Sequence, residues 1–264
     1  MTVLRYGSKG DEVKALQERL GISPQDGIFG LKTKQAVQKY QRERGLFPDG
    51  IVGAKTWAFI NAKEVKDDEI DIREGFIHTH ITAAKNRDIK YIAIHYTAGA
   101  SSKAGSAYNT RNVFLTRSAS ADFVVDDAEI VQINPDLKNY FCWAVGDKKN
   151  PWTGGGQLYG MALNRNTVSI EICSNLKQGT SAQYPNHSGW SFTEGSLNNA
   201  IKLVRYLMKK YNVPKDRVVR HYDISGKLCP AIVGWNDAPT YTTDGHQTAK
   251  RNTSEEWDKF KSRI

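Results

Sequence analysis

The chain has 264 residues and sets 37 Lys and Arg against 28 Asp and Glu, giving a formal charge of +9. It is long enough to bury a core without covalent staples. Apolar residues nowhere run together for the length of a membrane span, and no basic segment has the density or aromatic interleaving of a nucleic-acid reader, so neither membrane insertion nor nucleic-acid binding is expected. Cys142, Cys173 and Cys229 are too few and too scattered for a disulfide framework, and their odd number leaves a thiol for metal or catalytic work.

An internal repeat organises the N-terminal part. Asp26-Gly27-Ile28-Phe29-Gly30-Leu31-Lys32-Thr33 recurs as Asp49-Gly50-Ile51-Val52-Gly53-Ala54-Lys55-Thr56. Each Asp-Gly supplies a tight turn, and each Thr is placed to cap a following helix. Val13, Leu16 and Leu20, then Ala36, Val37 and Tyr40, have helical spacing, so residues 1–62 are expected as a compact three-helix domain. Residues 63–75 are charged and poor in large apolar side chains, as linkers are, and residues 76–264 form the second domain. There Tyr91 to Tyr96 reads as a buried strand, and Phe123-Val124-Val125 turns into Ile130-Val131-Gln132 as a hairpin. Val168 to Cys173 alternates as a strand, and Leu197, Ile201, Val204, Met208 and Tyr211 recur as a helix that packs on the sheet. Val218 to His221 is a short strand, Tyr241 to Asn252 a polar segment, and Glu255 to Ile264 a last helix. The fold class is α/β, with a mixed central sheet flanked by helices behind the small helical domain.

The segment from His221 to Pro230 carries the strongest chemical signal. An imidazole at a strand end and the Cys229 thiol flank a Gly-containing loop that can bring both to one point. A thiolate and a neutral imidazole are good zinc ligands, and His95, ending an apolar strand, is the natural third, leaving a fourth position for solvent. The alternatives are a hydrogen-bonded structural histidine, an inert core thiol, or Cys229 as a catalytic nucleophile paired with a histidine.

Ile94-His95-Tyr96-Thr97-Ala98-Gly99, Ser120 through Asp127, Ser169-Ile170-Glu171-Ile172-Cys173, and His221 through Pro230 follow one another along the chain. In these four segments and their order the chain resembles the type 2 N-acetylmuramoyl-L-alanine amidases, relatives of the phage amidase lysozymes and the peptidoglycan recognition proteins. The N-terminal unit is similar to three-helix peptidoglycan-binding modules through Leu16-Gln17, Asp26-Gly27, Gly30, Thr33, Ala36-Val37, Gln41, Gly45-Leu46, Asp49-Gly50, Gly53 and Thr56-Trp57. The resemblance implies Zn2+ held by His95, His221 and Cys229, Glu171 as general base, and Lys227 facing the reacting carbonyl. Read from the pattern alone, Glu171 is equally a surface carboxylate and Lys227 a solvated loop cation. Ala121 and Asp122 stand where relatives often carry an aromatic residue followed by His, which shifts proton transfer towards Glu171. Asp122 is then either a carboxylate supporting a histidine ligand or a polar residue at a strand start. Tyr96, Asp122 and Trp143 are the substrate-binding candidates, and in the small domain Tyr40, Phe47 and Trp57 either stack on ligand or fill the core. The implied activity is hydrolysis of the bond between N-acetylmuramic acid and L-alanine by a monomer, with peptidoglycan as partner; the alternative is peptidoglycan binding without cleavage. Because the chain starts without an apolar signal segment, synthesis in the cytoplasm and action at the wall as a phage endolysin are expected.

Overall fold

The computed structural model describes residues 2–43, 46–61, 70–99, 101–146, 148–150, 152–177, 184–241 and 247–264. The chain divides into two compact units, Met1–Lys66 and Asp67–Ser262. Most of the expected linker, residues 63–69, lies outside the described residues.

The first unit contains α1 (Asp11–Arg19), α2 (Leu31–Glu43) and α3 (Ala54–Asn61) around Leu4, Val13, Leu16, Phe29, Val37, Val52 and Trp57. The repeat is built on two buried glutamines. Gln17 Nε2 donates to Asp26 Oδ1 at 2.8 Å and to the Ile28 carbonyl at 3.1 Å, while its Oε1 accepts from Gly27 N–H at 2.9 Å. Gln41 does the same with Asp49 Oδ1 at 2.8 Å, the Ile51 carbonyl at 2.9 Å and Gly50 N–H at 2.9 Å. Gly27 and Gly50 have φ of 71° and 74°, the left-handed region that the Asp-Gly turns require. Thr33 and Thr56 are not helix caps, contrary to expectation. They lie inside the first turns of α2 and α3, and their hydroxyls accept from Gln17 and Gln41 at 3.2 Å. Each glutamine thus satisfies a turn that would otherwise bury bare backbone groups. Gln41→Leu is expected to destabilise this unit by about 2–3 kcal/mol, since it strands the Gly50 N–H and Ile51 carbonyl. Hydrogen exchange of the α2 and α3 amides reads the loss; unchanged protection would refute the role.

The second unit contains β1 (Arg73–Glu74), β2 (Ile81–Ala83), β3 (Tyr91–Tyr96), α4 (Ser106–Thr116), β4 (Phe123–Val125), β5 (Ile130–Gln132), β6 (Tyr140–Cys142), β7 (Thr167–Ile172), β8 (Asn175–Leu176) and β9 (Trp190–Ser191). After these come α5 (Glu194–Tyr211), β10 (Val218–Arg220), α6 (His221–Ser225), β11 (Pro239–Tyr241), β12 (Gln247–Arg251) and α7 (Glu255–Ser262). Six strands make one mixed sheet in the order β1-β5-β4-β7-β3-β10, in which β4 and β5 form the antiparallel hairpin and the other pairings are parallel. β1 falls within the stretch expected to be linker, and Ile70 and Ile72 beside it pack against the main core.

Ile92, Ile94, Phe123, Val125, Ile170, Ile172 and Val218 share a core with Ala200, Ile201, Leu203, Val204 and Leu207 of α5 and with Trp257 and Phe260 of α7. The Thr193 side chain caps α5 by accepting from Ser196 N–H, and Asn212 ends the helix in the left-handed region. On the opposite face Val124 and Val131 pack on Ala107 and Phe114, and Ala93 and Val219 pack on Val145, Ala162 and Ile224. β7 is therefore covered on both sides, and its alternation does not divide a wet face from a dry one. The polar segment from Tyr241 to Asn252 includes β12, which pairs antiparallel with β11.

Candidate metal centre

Parallel α/β sheets gather their functional groups at the carboxyl ends of the strands, where side chains meet loops instead of helices. His95 is next to last in β3, and β7 places Glu171 directly beside it in register. Neighbours in register on parallel strands project from the same face, so the imidazole and the carboxylate emerge side by side, opposite α5. On the other side of β3, Arg220 pairs with Ile94, so His221 follows at the level of His95 and opens α6 instead of ending a strand. Gly226, at φ 76°, stops α6, and Tyr222 N–H donates to the Cys229 carbonyl at 2.9 Å. That bond folds the loop back on the helix start and returns the thiol to the histidines.

The three side chains converge: their ligand atoms all lie within 4.8 Å of one another, and each residue is buried. Cys229 Sγ is 3.7 Å from His95 Nδ1, against about 3.5 Å for two corners of a tetrahedron with zinc–nitrogen and zinc–sulfur distances of about 2.0 and 2.3 Å. His221 Nε2–H donates to the Val145 carbonyl at 3.0 Å, which fixes the tautomer and leaves Nδ1 with a lone pair. His221 Nδ1, His95 Nε2 and Glu171 Oε2 are buried without a hydrogen-bond partner among the described residues. Unpaired buried polar atoms are costly, and a cation shared with the Cys229 thiol would satisfy the His221 nitrogen. Two imidazoles and a thiol that fit a tetrahedral edge suit a divalent zinc-like ion.

The local electrostatics favour neutral ligands. Burial, the neighbouring His221 and Lys227 hold the His95 imidazolium well below its ordinary pKa; burial and then Lys227 lower His221 to about 4. Burial pushes the Cys229 thiol up to about 12, with the Glu171 carboxylate adding to the effect. Glu171 is raised to about 8 by burial, against the pull of Lys227 and Arg117. A carboxyl poised near neutrality is suited to taking up and releasing a proton.

Lys227 is exposed on the loop between α6 and Cys229, and its charge reaches His95, His221, Glu171 and Cys229. Tyr96 is half-buried at the end of β3, its backbone N–H faces the Cys229 thiol, and its ring meets Trp190 edge-on. Trp143 is exposed and donates through Nε1 to Thr82 Oγ1 at 2.8 Å; two residues on, Val145 buttresses His221. Asp122 is engaged elsewhere. Fully buried, it accepts from Asn134 Nδ2 at 2.6 Å and Ser169 N–H at 2.7 Å and stands 3.6 Å from Arg87. Arg87 in turn gathers the carbonyls of Leu137, Tyr140, Asn164, Arg165 and Thr167, so Asp122 and Arg87 anchor β7 and the segment before it. Trp57, half-buried Tyr40 and Phe47 of the small domain also separate: Trp57 belongs to its core, whereas Phe47 is 83% exposed. Two contributors to the centre carry no sequence signal: the Val145 carbonyl, a backbone group, and Arg117, an exposed cation just past α4.

Residues 85–232 match the family model described as N-acetylmuramoyl-L-alanine amidase, and residues 9–60 match a peptidoglycan binding domain. The chain is 36% identical over 149 residues to the N-acetylmuramoyl-L-alanine amidase CwlH of Bacillus subtilis (strain 168), a match that spans 55% of this chain and 50% of that protein. It is 35% identical over 142 residues to XlyB of the same organism, spanning 53% of this chain and 37% of the relative. The chain thus spans about half or less of the curated relatives it matches. Among solved structures, a mutant endolysin from Bacillus subtilis aligns with a TM-score of 0.47 at 28% identity, over 74% of this chain and 99% of that one. The match over residues 85–232 takes in His95, Glu171, His221, Lys227 and Cys229, and with it the chain belongs to the N-acetylmuramoyl-L-alanine amidase family.

Proposed function

We propose that the chain is a zinc-dependent N-acetylmuramoyl-L-alanine amidase, with residues 1–62 as its wall-binding module and residues 76–264 as its catalytic domain, joined through residues 63–75, whose last part, β1, already pairs with the catalytic sheet. The observation that carries this is the convergence of His95, His221 and Cys229 beside a buried, unpaired carboxyl oxygen of Glu171. Pure binding of peptidoglycan gives no reason to bury three ligand groups around one point.

A zinc ion held there would supply Lewis acidity for the scissile carbonyl and lower the pKa of water at the open position. The residues divide the remaining work. The His221 Nε2–H bond to Val145 holds that imidazole in one tautomer. Glu171 takes the proton of the attacking water at its carboxylate and releases it to the departing L-alanine amine, so the C–N bond breaks as the new C–O bond is kept. Lys227, exposed at the loop edge, places its ammonium towards the negative charge that develops on the carbonyl oxygen. The Cys229 thiol is a poor nucleophile for this task, because papain-like catalysis needs a depressed thiol pKa and burial here raises it to about 12.

The small module would tether the enzyme to its polymer and raise the local substrate concentration. The charge of +9 suits an anionic envelope. Among the described residues no helix is long and apolar enough to cross a membrane. We read the protein as a monomeric endolysin, made in the cytoplasm and brought to the wall by a separate permeabilising protein. Incubation with purified peptidoglycan is expected to release L-alanine amino termini without new reducing ends. Sedimentation with the wall and no new amino termini would leave a binding protein.

A further inference from the structure

Trp152 is 91% exposed, although an indole offers about 150–250 Å² for burial. A lone exposed aromatic is unremarkable on a mobile loop, but the backbone around this one is fastened on both sides. Asn150 N–H donates to the Ser225 carbonyl at 2.7 Å, and Trp152 N–H to Asn150 Oδ1 at 3.1 Å. Tyr222 Oη donates to the Thr153 carbonyl at 2.8 Å, and Thr153 Oγ1 to the Gly226 carbonyl at 2.7 Å. Gly156 and Leu158 N–H donate to the Tyr222 and Asp223 carbonyls, each at 2.9 Å. The run Gly154-Gly155-Gly156 is therefore a fitted contact and not a flexible tether. A Cβ on Gly155 would lie 2.4 Å from the Tyr222 carbonyl oxygen, and one on Gly226 would lie 2.4 Å from that of Asn150.

The partner of this loop is the metal-site segment itself. α6 begins with His221, and Gly226, bonded to Thr153, precedes Lys227, whose charge reaches both histidines and Glu171. The same loop starts at Val145, which holds His221. The fold thus fastens the backbone of Trp152 to the segment that runs from His221 to Lys227 and presents its uncharged indole to solvent, while Lys227 and Arg117 supply the cations that face Glu171. The scissile bond of the proposed substrate joins two chemically different halves, a peptide that carries carboxylates and a neutral N-acetylated sugar strand. Cations suit the first. An amphipathic ring suits the C–H face of a pyranose, and here the loop that carries it needs no ordering when it binds.

We propose that Trp152 is the platform on which an N-acetylhexosamine ring of the glycan strand stacks, so that it sets a preference for substrates that keep the sugar next to the muramoyl residue. The assignment rests on the amidase reading above.

Kinetics on two soluble fragments test it: a disaccharide-peptide and the corresponding muramoyl-peptide without the neighbouring hexosamine. Trp152→Ala in the full chain is expected to lower the ratio of kcat/KM for the first over the second about tenfold, with most of the ratio restored in Trp152→Phe. An unchanged ratio, including equal losses on both fragments, overturns the proposal and leaves the amidase reading standing. If the wild-type chain cleaves neither fragment, the amidase reading fails, and tryptophan emission titrated with peptide-free glycan chains decides the stacking. A spectral change in the wild type that is lost in Trp152→Phe supports it; identical changes, or none, refute it.

Discussion

Cys229→Ser is expected to lower kcat/KM for amide hydrolysis by at least on the order of 10³-fold, beyond the roughly 10–100-fold that loss of an outer partner of a metal ligand costs. The protein should still fold, because the substitution changes one buried atom and keeps the loop bond between Tyr222 N–H and the Cys229 carbonyl. Sulfur matters here because the metal-free thiol, raised to about 12 by burial, would release its proton to solvent as a zinc ion takes the proton's place, whereas a serine hydroxyl does not ionise near neutrality. The wild type should therefore bind one zinc and melt at a higher temperature in its presence, a gain the variant loses. Metal analysis and thermal melts with and without zinc measure this apart from activity. A chelator should silence the wild type, and added zinc should restore it. Activity indifferent to chelation, with loss in Cys229→Ser, would instead make Cys229 a nucleophile.

The convergence of His95, His221 and Cys229 was legible because each stands near the end of a recognisable run: His95 in an apolar strand, His221 just after a second strand run, Cys229 after a loop with a glycine. α5 was legible for the same kind of reason, since an apolar stripe at helical spacing has one face to bury. α4 was not, because it buries Ala107 and Phe114 alone and leaves Val113 and Leu115 exposed, so its apolar residues mark no face. Asp122 illustrates a different limit. Comparison with the family pattern offered it either as support for a histidine or as a polar residue at a strand start, but its partners Arg87, Asn134 and Ser169 come from three separate stretches that only the folded sheet joins. The threonines of the repeat were placed as caps by local pattern, while the glutamines that recruit them sit in the preceding helices. Composition and spacing record what a residue offers; which group receives it is set by tertiary contacts.

Glu171→Gln is expected to lower kcat by about 10²–10⁴-fold at neutral pH and, in the chelated protein, to raise stability at alkaline pH. Both effects come from one property. Burial holds the Glu171 carboxyl up at about 8, far above its ordinary value of 4.5, so the folded protein prefers the protonated form. A group raised in this way contributes stability that is complete below about 4.5 and disappears as pH climbs through about 8, because the unfolded chain ionises first. Gln keeps the shape and hydrogen-bonding capacity of the neutral acid but never ionises. The melting-temperature difference between variant and wild type should thus be small near pH 4.5 and widen up to about pH 8. There it should reach on the order of 5 °C, for a penalty on the order of 2 kcal/mol at a carboxyl that still opens to solvent on one side. His221 slopes the other way: lowered to about 4, it costs stability as pH falls below its unfolded value near 6.5. That slope is common to both proteins and cancels in the difference. Melts of both chelated proteins across this range, beside kcat on a muramoyl-peptide, separate the outcomes. Lost activity with a flat stability difference would mean that the carboxylate is already solvated and ionised in the fold; a widening difference with retained activity would remove Glu171 from proton transfer.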